Sequence, residues 1–225
     1  LLEKGNTIQS VADLKGKTIV ATGKASTPEY ILRYLLTQNG IDPEKDVTIE
    51  YKSEHSELAT LMTAGTVTLG MMRAFAAGEI DVCMLPVPNV TSVLMKNSDV
   101  RAALDLTEEW NKVAQGGSTL TQGCIIVQKD FAANQPAALA AFLEEYQASV
   151  NYVNQNIDDA SQLIEQNGII PKAAVAKKAL PNCNICYVDG AQMKTQLSGF
   201  LKVLFDANPQ SVGGAMPDDA FYYQK

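Results

Sequence analysis

Residues 15–40, KGKTIVATGKASTPEYILRYLLTQNG, decide how the chain is read. The run Thr18 to Ala21 predicts a buried strand, Gly23 a turn, and Ser26-Thr27-Pro28-Glu29 the first turn of a helix. Ser26 or Thr27 can cap that helix, Pro28 presets φ in its first turn, and Glu29 stands three residues after Ser26, which is capping-box spacing. Tyr30, Ile31, Tyr34 and Leu35 then recur at helical spacing until Gly40 ends the element. A helix start of this kind offers unpaired N–H groups and the positive end of the macrodipole, so it can hold an anionic or strongly polar group. The same residues also describe a well-capped turn without a ligand, and such caps are common.

Outward from this stretch, Thr7 to Leu14 predicts a short lead-in helix, and Val47, Ile49 and Tyr51 alternate as a second strand after a loop at Ile41 to Asp46. Strand, helix, strand implies a mainly parallel sheet with right-handed crossovers. A helix is expected over Glu57 to Ala64, a third strand over Ile80 to Leu85, a helix over Asn89 to Lys96 and a fourth strand over Val100 to Leu106. LMTAGTVTLGMM at Leu61 to Met72 resembles AFAAGEIDVCML at Ala74 to Leu85, and two copies are too few for a solenoid. Thr107 to Trp110 opens a turn or short helix, Gln115 to Thr121 reads as a flexible connector, and Gly123 to Gln128 as another strand. The chain then turns helical. A long amphipathic helix presents Leu139, Phe142, Leu143, Tyr146, Val150 and Val153 on one face, and helices at Asp158 to Asn167, Pro171 to Leu180 and Gln192 to Asp206 follow. This much apolar helical surface expects a sheet to pack on.

The 225 residues suffice for one large or two small domains with a proper core. A net charge of −7, with Lys and Arg scattered, gives no basic footprint for nucleic acid or an anionic membrane surface. No apolar run approaches the roughly 20 residues that span a bilayer. The opening residues carry no signal-peptide, transit or lipid-attachment pattern, so a membrane link is expected only through a lipid anchor outside this chain. Cys83 and Cys124 lie in apolar segments and read as small core hydrophobes. Cys183 and Cys186 form a C-x-x-C with no second ligand pair and no nearby histidine, since the single His55 lies in the hydrophilic KSEHSEL. They read as structural thiols, with a local disulfide left open, and no metal or cofactor is expected.

Three pieces together resemble a known family: SVADLKGKTIVATGKASTPEYILRYLLTQNGIDPEKDVTI (Ser10 to Ile49), AGEIDVCMLPVPNVTSVL (Ala77 to Leu94) and GCIIVQKDFAANQPAALAAFLEEY (Gly123 to Tyr146). In order and spacing they are similar to the type II periplasmic-binding-protein fold. The matching branch is the ABC-transporter substrate-binding proteins for sulfonates, nitrate, taurine and thiamine-pyrimidine precursors. The resemblance implies two α/β lobes clamping a ligand in the cleft between them. Residues 12–121 would be the second lobe, a mainly parallel sheet flanked by helices. Residues 122–225 would be the hinge strand and helical C-terminal part of the first lobe, whose N-terminal part this chain lacks. The chain is then expected to be a fragment, with part of the cleft absent.

By the same resemblance, Gly23, Lys24, Ser26 and Thr27 form the ligand loop, while Asp81, Pro86 and Asn89 mark the other cleft-facing strand end. The family commonly has Glu-Pro where this chain has Val87-Pro88, so a carboxylate role there is lost. Trp110 is a further ligand-binding candidate and could face either cleft or core. The implied function is non-catalytic capture of a small polar or anionic molecule outside the cytoplasm, as a periplasmic protein or cell-surface lipoprotein. Its partners would be an ABC permease and its ATPase. Two alternatives belong to other classes, a thiamine-pyrimidine biosynthesis-like enzyme and the effector domain of a LysR-type regulator. No G-x-S-x-G, Walker A, H-E-x-x-H or nucleotide fingerprint is present, and CNIC is not the cysteine-rich motif of the iron-dependent synthases.

Overall fold

The computed structural model describes residues 1–52 and 82–224. The expected Glu57 to Ala64 helix, the paired repeat apart from its last residues, His55 and Asp81 lie outside the described residues.

The opening stretch folds as read. Strand β2 (Thr18–Thr22) leads into helix α1 (Thr27–Gln38), and strand β3 (Thr48–Lys52) returns parallel to β2 with Ile19 opposite Ile49. On the far side of β2 runs β4 (Val82–Cys83), also parallel, with Val20 opposite Cys83. Two further strands complete the sheet, β1 (Leu2–Lys4) and β5 (Val100–Ala102), in the order β3-β2-β4-β1-β5. Strand β1 is antiparallel to both neighbours, so four strands point one way and β1 alone is reversed. The architecture is α/β, as expected.

Alternation along the strands sorts the core. Ile19, Ala21 and Val82 pack on one face with Leu32, Leu36, Ile41 and Val47. Val20 and Cys83 pack on the other with Leu2, Val93 and Val100, beneath helix α2 (Asn89–Leu94). The far side of α1 meets helix α3 (Leu106–Val113) and the C-terminal helix α8 (Gly190–Ala207). There Trp110 is fully buried, its ring 4.8 Å from Tyr34 and 5.5 Å from Phe200. Between these helices the connector lies close against α8 because residue 199 is glycine: a Cβ there would stand 2.6 Å from that of Ser118.

Three expectations are corrected. Thr7 to Leu14 forms only a short 3-10 turn at Val11–Leu14. Its earlier N–H groups are bound by side chains instead: Thr7 and Ile8 donate to the Glu3 carboxylate, and Gln9 and Ser10 to that of Asp13. Gly123 to Gln128 is not a strand. No strand among the described residues pairs with it, and Ile126 is 81% exposed. Cys124, expected in the core, is exposed with it. Cys183 and Cys186 are free thiols.

The remaining α-helices among the described residues are α4 (Lys129–Asn134), α5 (Pro136–Gln155), α6 (Ile157–Gln166) and α7 (Ala173–Ala179). Of the apolar face expected on α5, Leu139 and Val150 are buried, whereas Phe142 is exposed and stacks on Tyr146 at 6.0 Å.

Candidate functional site

Between β2 and α1 the chain turns through Gly23 at φ +80° and Ala25 at φ +58°, which bends it sharply enough to start the helix at the strand end. The expected capping box does not form. The Ser26 hydroxyl donates back to the Gly23 carbonyl at 2.6 Å, and the Ser26 N–H donates to the same oxygen at 3.1 Å. Glu29 reaches one residue further than a box requires and accepts the Ala25 N–H at 2.6 Å. A Cβ at position 23 would stand 2.6 Å from the Ser26 Oγ, so the loop requires glycine there. Burial alone would push the Glu29 carboxyl up, but the Ala25 N–H and the Arg33 guanidinium hold it below the usual carboxylate range. Arg33 is shared between Glu29 and Glu44.

The carboxyl ends of β2 and β4 open into a cleft of about 770 Å³. Thr22 ends β2 at its floor, Met84 and Leu85 continue β4 into it, and Thr27 and Pro28 bring the start of α1 to its edge. This is the place where parallel α/β sheets bind ligands, since the strand ends and helix starts converge there. The wall opposite comes from far along the chain: Gln122 from the segment after the connector, and Lys178, Asn182 and Asn184 from α7 and the loop after it. The Asn184 amide donates to the Thr107 hydroxyl at 3.3 Å, joining that wall to the start of α3.

The candidate residues divide accordingly. Thr27 and Pro86 line the cleft. Gly23 and Ser26 shape the loop behind it, with both Ser26 donors turned inward to Gly23. Lys24 is exposed and Asn89 begins α2, and neither lines the cleft. Trp110 belongs to the core, where burial of its rings between α1 and α8 leaves no face for a ligand. Asp81 lies outside the described residues. Sequence reasoning missed Thr91, Thr107, Gln122, Lys178, Asn182 and Asn184. Asn182 immediately precedes CNIC and Asn184 lies within it, so the motif marked the right loop for a reason unrelated to its sulfurs.

Elsewhere, burial pushes the Cys83 thiol up to about 12, which keeps it a protonated core group. Glu3 in β1 is almost wholly buried. Burial would raise its pKa, yet the N–H groups of Ile8 and Thr7, Arg101 and the Thr7 hydroxyl together hold it low. Arg101 Nε stands 2.7 Å from its carboxylate. A second hollow, of about 570 Å³, lies between α6 and α7. Its Asp158 and Lys177 pair with each other at 2.6 Å, and no strand end reaches it. Among the described residues no cluster of His, Cys, Asp or Glu could hold a metal ion. No helix among them is long and apolar enough to cross a membrane.

Fold and cleft together define an α/β protein with an open cleft at its strand ends. The model of the family "ABC transporter, phosphonate, periplasmic substrate-binding protein" matches residues 2–169, and the chain belongs to that family. Among solved structures it is similar to an ABC transporter from Parabacteroides distasonis, with a TM-score of 0.73 and 22% identity over 100% of this chain and 69% of that one. It is also similar to the periplasmic aliphatic sulphonate binding protein SsuA from Escherichia coli, with a TM-score of 0.69 and 20% identity over 99% of this chain and 64% of that one. At such identities the likeness is one of fold. A search of curated proteins found no match. The expected fold, with its resemblance to ABC substrate-binding proteins, is thereby borne out.

Proposed function

We propose that this chain is the solute-capturing part of an ABC import system, working outside the cytoplasm and binding a small amphipathic molecule without chemical change. The observation that carries the reading is the cleft itself, of about 770 Å³ and bounded by the ends of β2 and β4, the start of α1 and the α7 loop. Family membership supports the same reading. Residues 12–121 act as one lobe and residues 122–225 contribute to a second. Thr27 and Pro86 contact the ligand, and Gly23 and Ser26 hold the loop that presents Thr27. A permease with its ATPase is the downstream partner, and a lipid anchor outside these residues would tether the protein at a cell surface. The lining is aliphatic with hydroxyl and amide groups, which suits holding a molecule in place by burial and a few directed hydrogen bonds.

A thermal-shift panel of alkyl phosphonates, alkyl sulfonates, taurine, nitrate and pyrimidines tests the proposal. At least one should raise Tm in proportion to the logarithm of its concentration. Met95 lines the cleft yet is 43% exposed, so Met95→Trp should fill the cleft without disturbing the core and abolish that shift. A panel with no stabilising compound, or a shift that survives Met95→Trp, would overturn it.

A further inference from the structure

The cleft wall built by Lys178, Asn182 and Asn184 lies beyond residues 2–169, the stretch that the family model matches. Its charge is unevenly placed. Helix α7 nears its end with two adjacent lysines, and neighbours on a helix project about 100° apart. They meet different surroundings. Lys177 pairs with Asp158 of α6 at 2.6 Å, beside the second hollow. Lys178 lines the cleft, and its ammonium forms no ion pair among the described residues. It is also the only cationic side chain among the described lining residues.

Asp105, the only carboxylate among those residues, is engaged elsewhere. It caps α3, accepting the Thr107 N–H at 2.8 Å and the Glu108 N–H at 3.4 Å, so the start of that helix meets its charge. The loop after α7 is held in place: Asn184, at φ +51°, bends the chain, and its amide donates to the Thr107 hydroxyl at 3.3 Å. An apolar body entering the cleft displaces water from the Lys178 ammonium. A neutral head leaves that loss uncompensated, whereas an anionic head replaces the water with a charge-assisted bond.

Resting on the cleft as the ligand site, we propose that Lys178 determines specificity there: it is the counter-charge that selects an amphipathic ligand with an anionic head over a neutral one of the same shape. The head is of the sulfonate or phosphonate kind, and the body lies on Ile31, Met84, Val90, Leu94 and Leu104. Lys177, one position away, takes no part.

The test is calorimetric titration of the chain with an alkyl sulfonate, an alkyl phosphonate and a neutral alkyl sulfonamide of equal chain length, at low and at moderate salt. At least one anion should bind more tightly than the sulfonamide. Lys178→Gln should weaken that anion by about ten-fold and flatten the salt dependence of its affinity. The sulfonamide should change by less than about two-fold in the same variant. Lys177→Gln removes an equal charge outside the cleft and should leave every affinity within about two-fold. Both lysines are exposed, so neither change should alter the melting curve. Equal losses in the two variants would reduce the effect to net charge, and equal losses of anion and sulfonamide in Lys178→Gln would reduce it to packing. Either result overturns the role of Lys178 and leaves capture intact, as does an unaltered chain that prefers the sulfonamide or a Lys178→Gln chain that binds the anion undiminished. If the unaltered chain binds none of the three compounds, capture and specificity fall together.

Discussion

Two segments of the chain carry the same strand-like signal and meet opposite ends. Thr18 to Ala21 becomes β2, with β3 on one side and β4 on the other, and Ile19, Val20 and Ala21 are buried. Gly123 to Gln128 is as apolar, yet no described strand pairs with it and Ile125, Ile126 and Val127 stand exposed. The difference is one of neighbours. A strand is stabilised by pairing and by a covered face, neither of which its own sequence supplies. The helices show the same contrast, since α1 buries five of its residues and the longer α5 only Leu139 and Val150.

The widest test of that contrast compares Trp110→Ala with Phe142→Ala. Trp110 is fully buried among α1, α3 and α8, so its loss should cost about 3–5 kcal/mol in chemical denaturation. Phe142 is 48% exposed, and its loss should cost under about 1 kcal/mol. Equal costs would mean that the α5 face is covered after all. Next in size is Glu3. Its folded pKa is lowered, so its contribution to stability is complete above the unfolded value of 4.5 and is lost as pH falls through the folded value. Glu3→Gln should lower stability near pH 7 and flatten the loss between neutral and acid pH, measured by denaturant midpoints across that range. An unchanged slope would remove Glu3 as the acid-sensitive group.

Smaller effects sharpen the comparison at the site. Gly23→Ala must adopt φ +80° and bring a Cβ to 2.6 Å from Ser26 Oγ, so it should cost about 1–2 kcal/mol and weaken ligand binding by shifting Thr27. Thr27→Val, which keeps the shape and removes the hydroxyl, should weaken binding several-fold with little change in stability. The smallest effect is at Ile126, where Ile126→Ser should change stability by less than about 0.5 kcal/mol. Hydrogen exchange should be fast for amides 123–127 and slow for those of β2.

The legible parts were those whose cause is local. Ser26, Pro28 and the spacing Tyr30, Ile31, Tyr34, Leu35 placed α1 to within a residue, and the alternation of Val47, Ile49 and Tyr51 placed β3. The reversed strand β1 escaped notice because three residues are too few for a period, and its place is fixed by partners about a hundred positions away, Arg101 among them. Half of the cleft wall escaped for the same reason. Lys178, Asn182 and Asn184 share the cleft with Thr27 only because α7 and the loop after it come back beside the strand ends, and nothing in their own spacing announces this. The capping box misled in an instructive way: Ser26 and Glu29 had the correct spacing, but the positive φ of Ala25 turned that residue's N–H toward Glu29 first.

Capture of a small molecule in the cleft is tested most directly by calorimetric titration of the chain and its Met95→Trp variant with a singly charged alkyl sulfonate. The account predicts saturable one-to-one binding to the chain, loss of that binding in a variant with an unchanged melting curve, and a negative heat-capacity change from apolar burial. Binding of undiminished affinity in Met95→Trp would place the ligand elsewhere and contradict it.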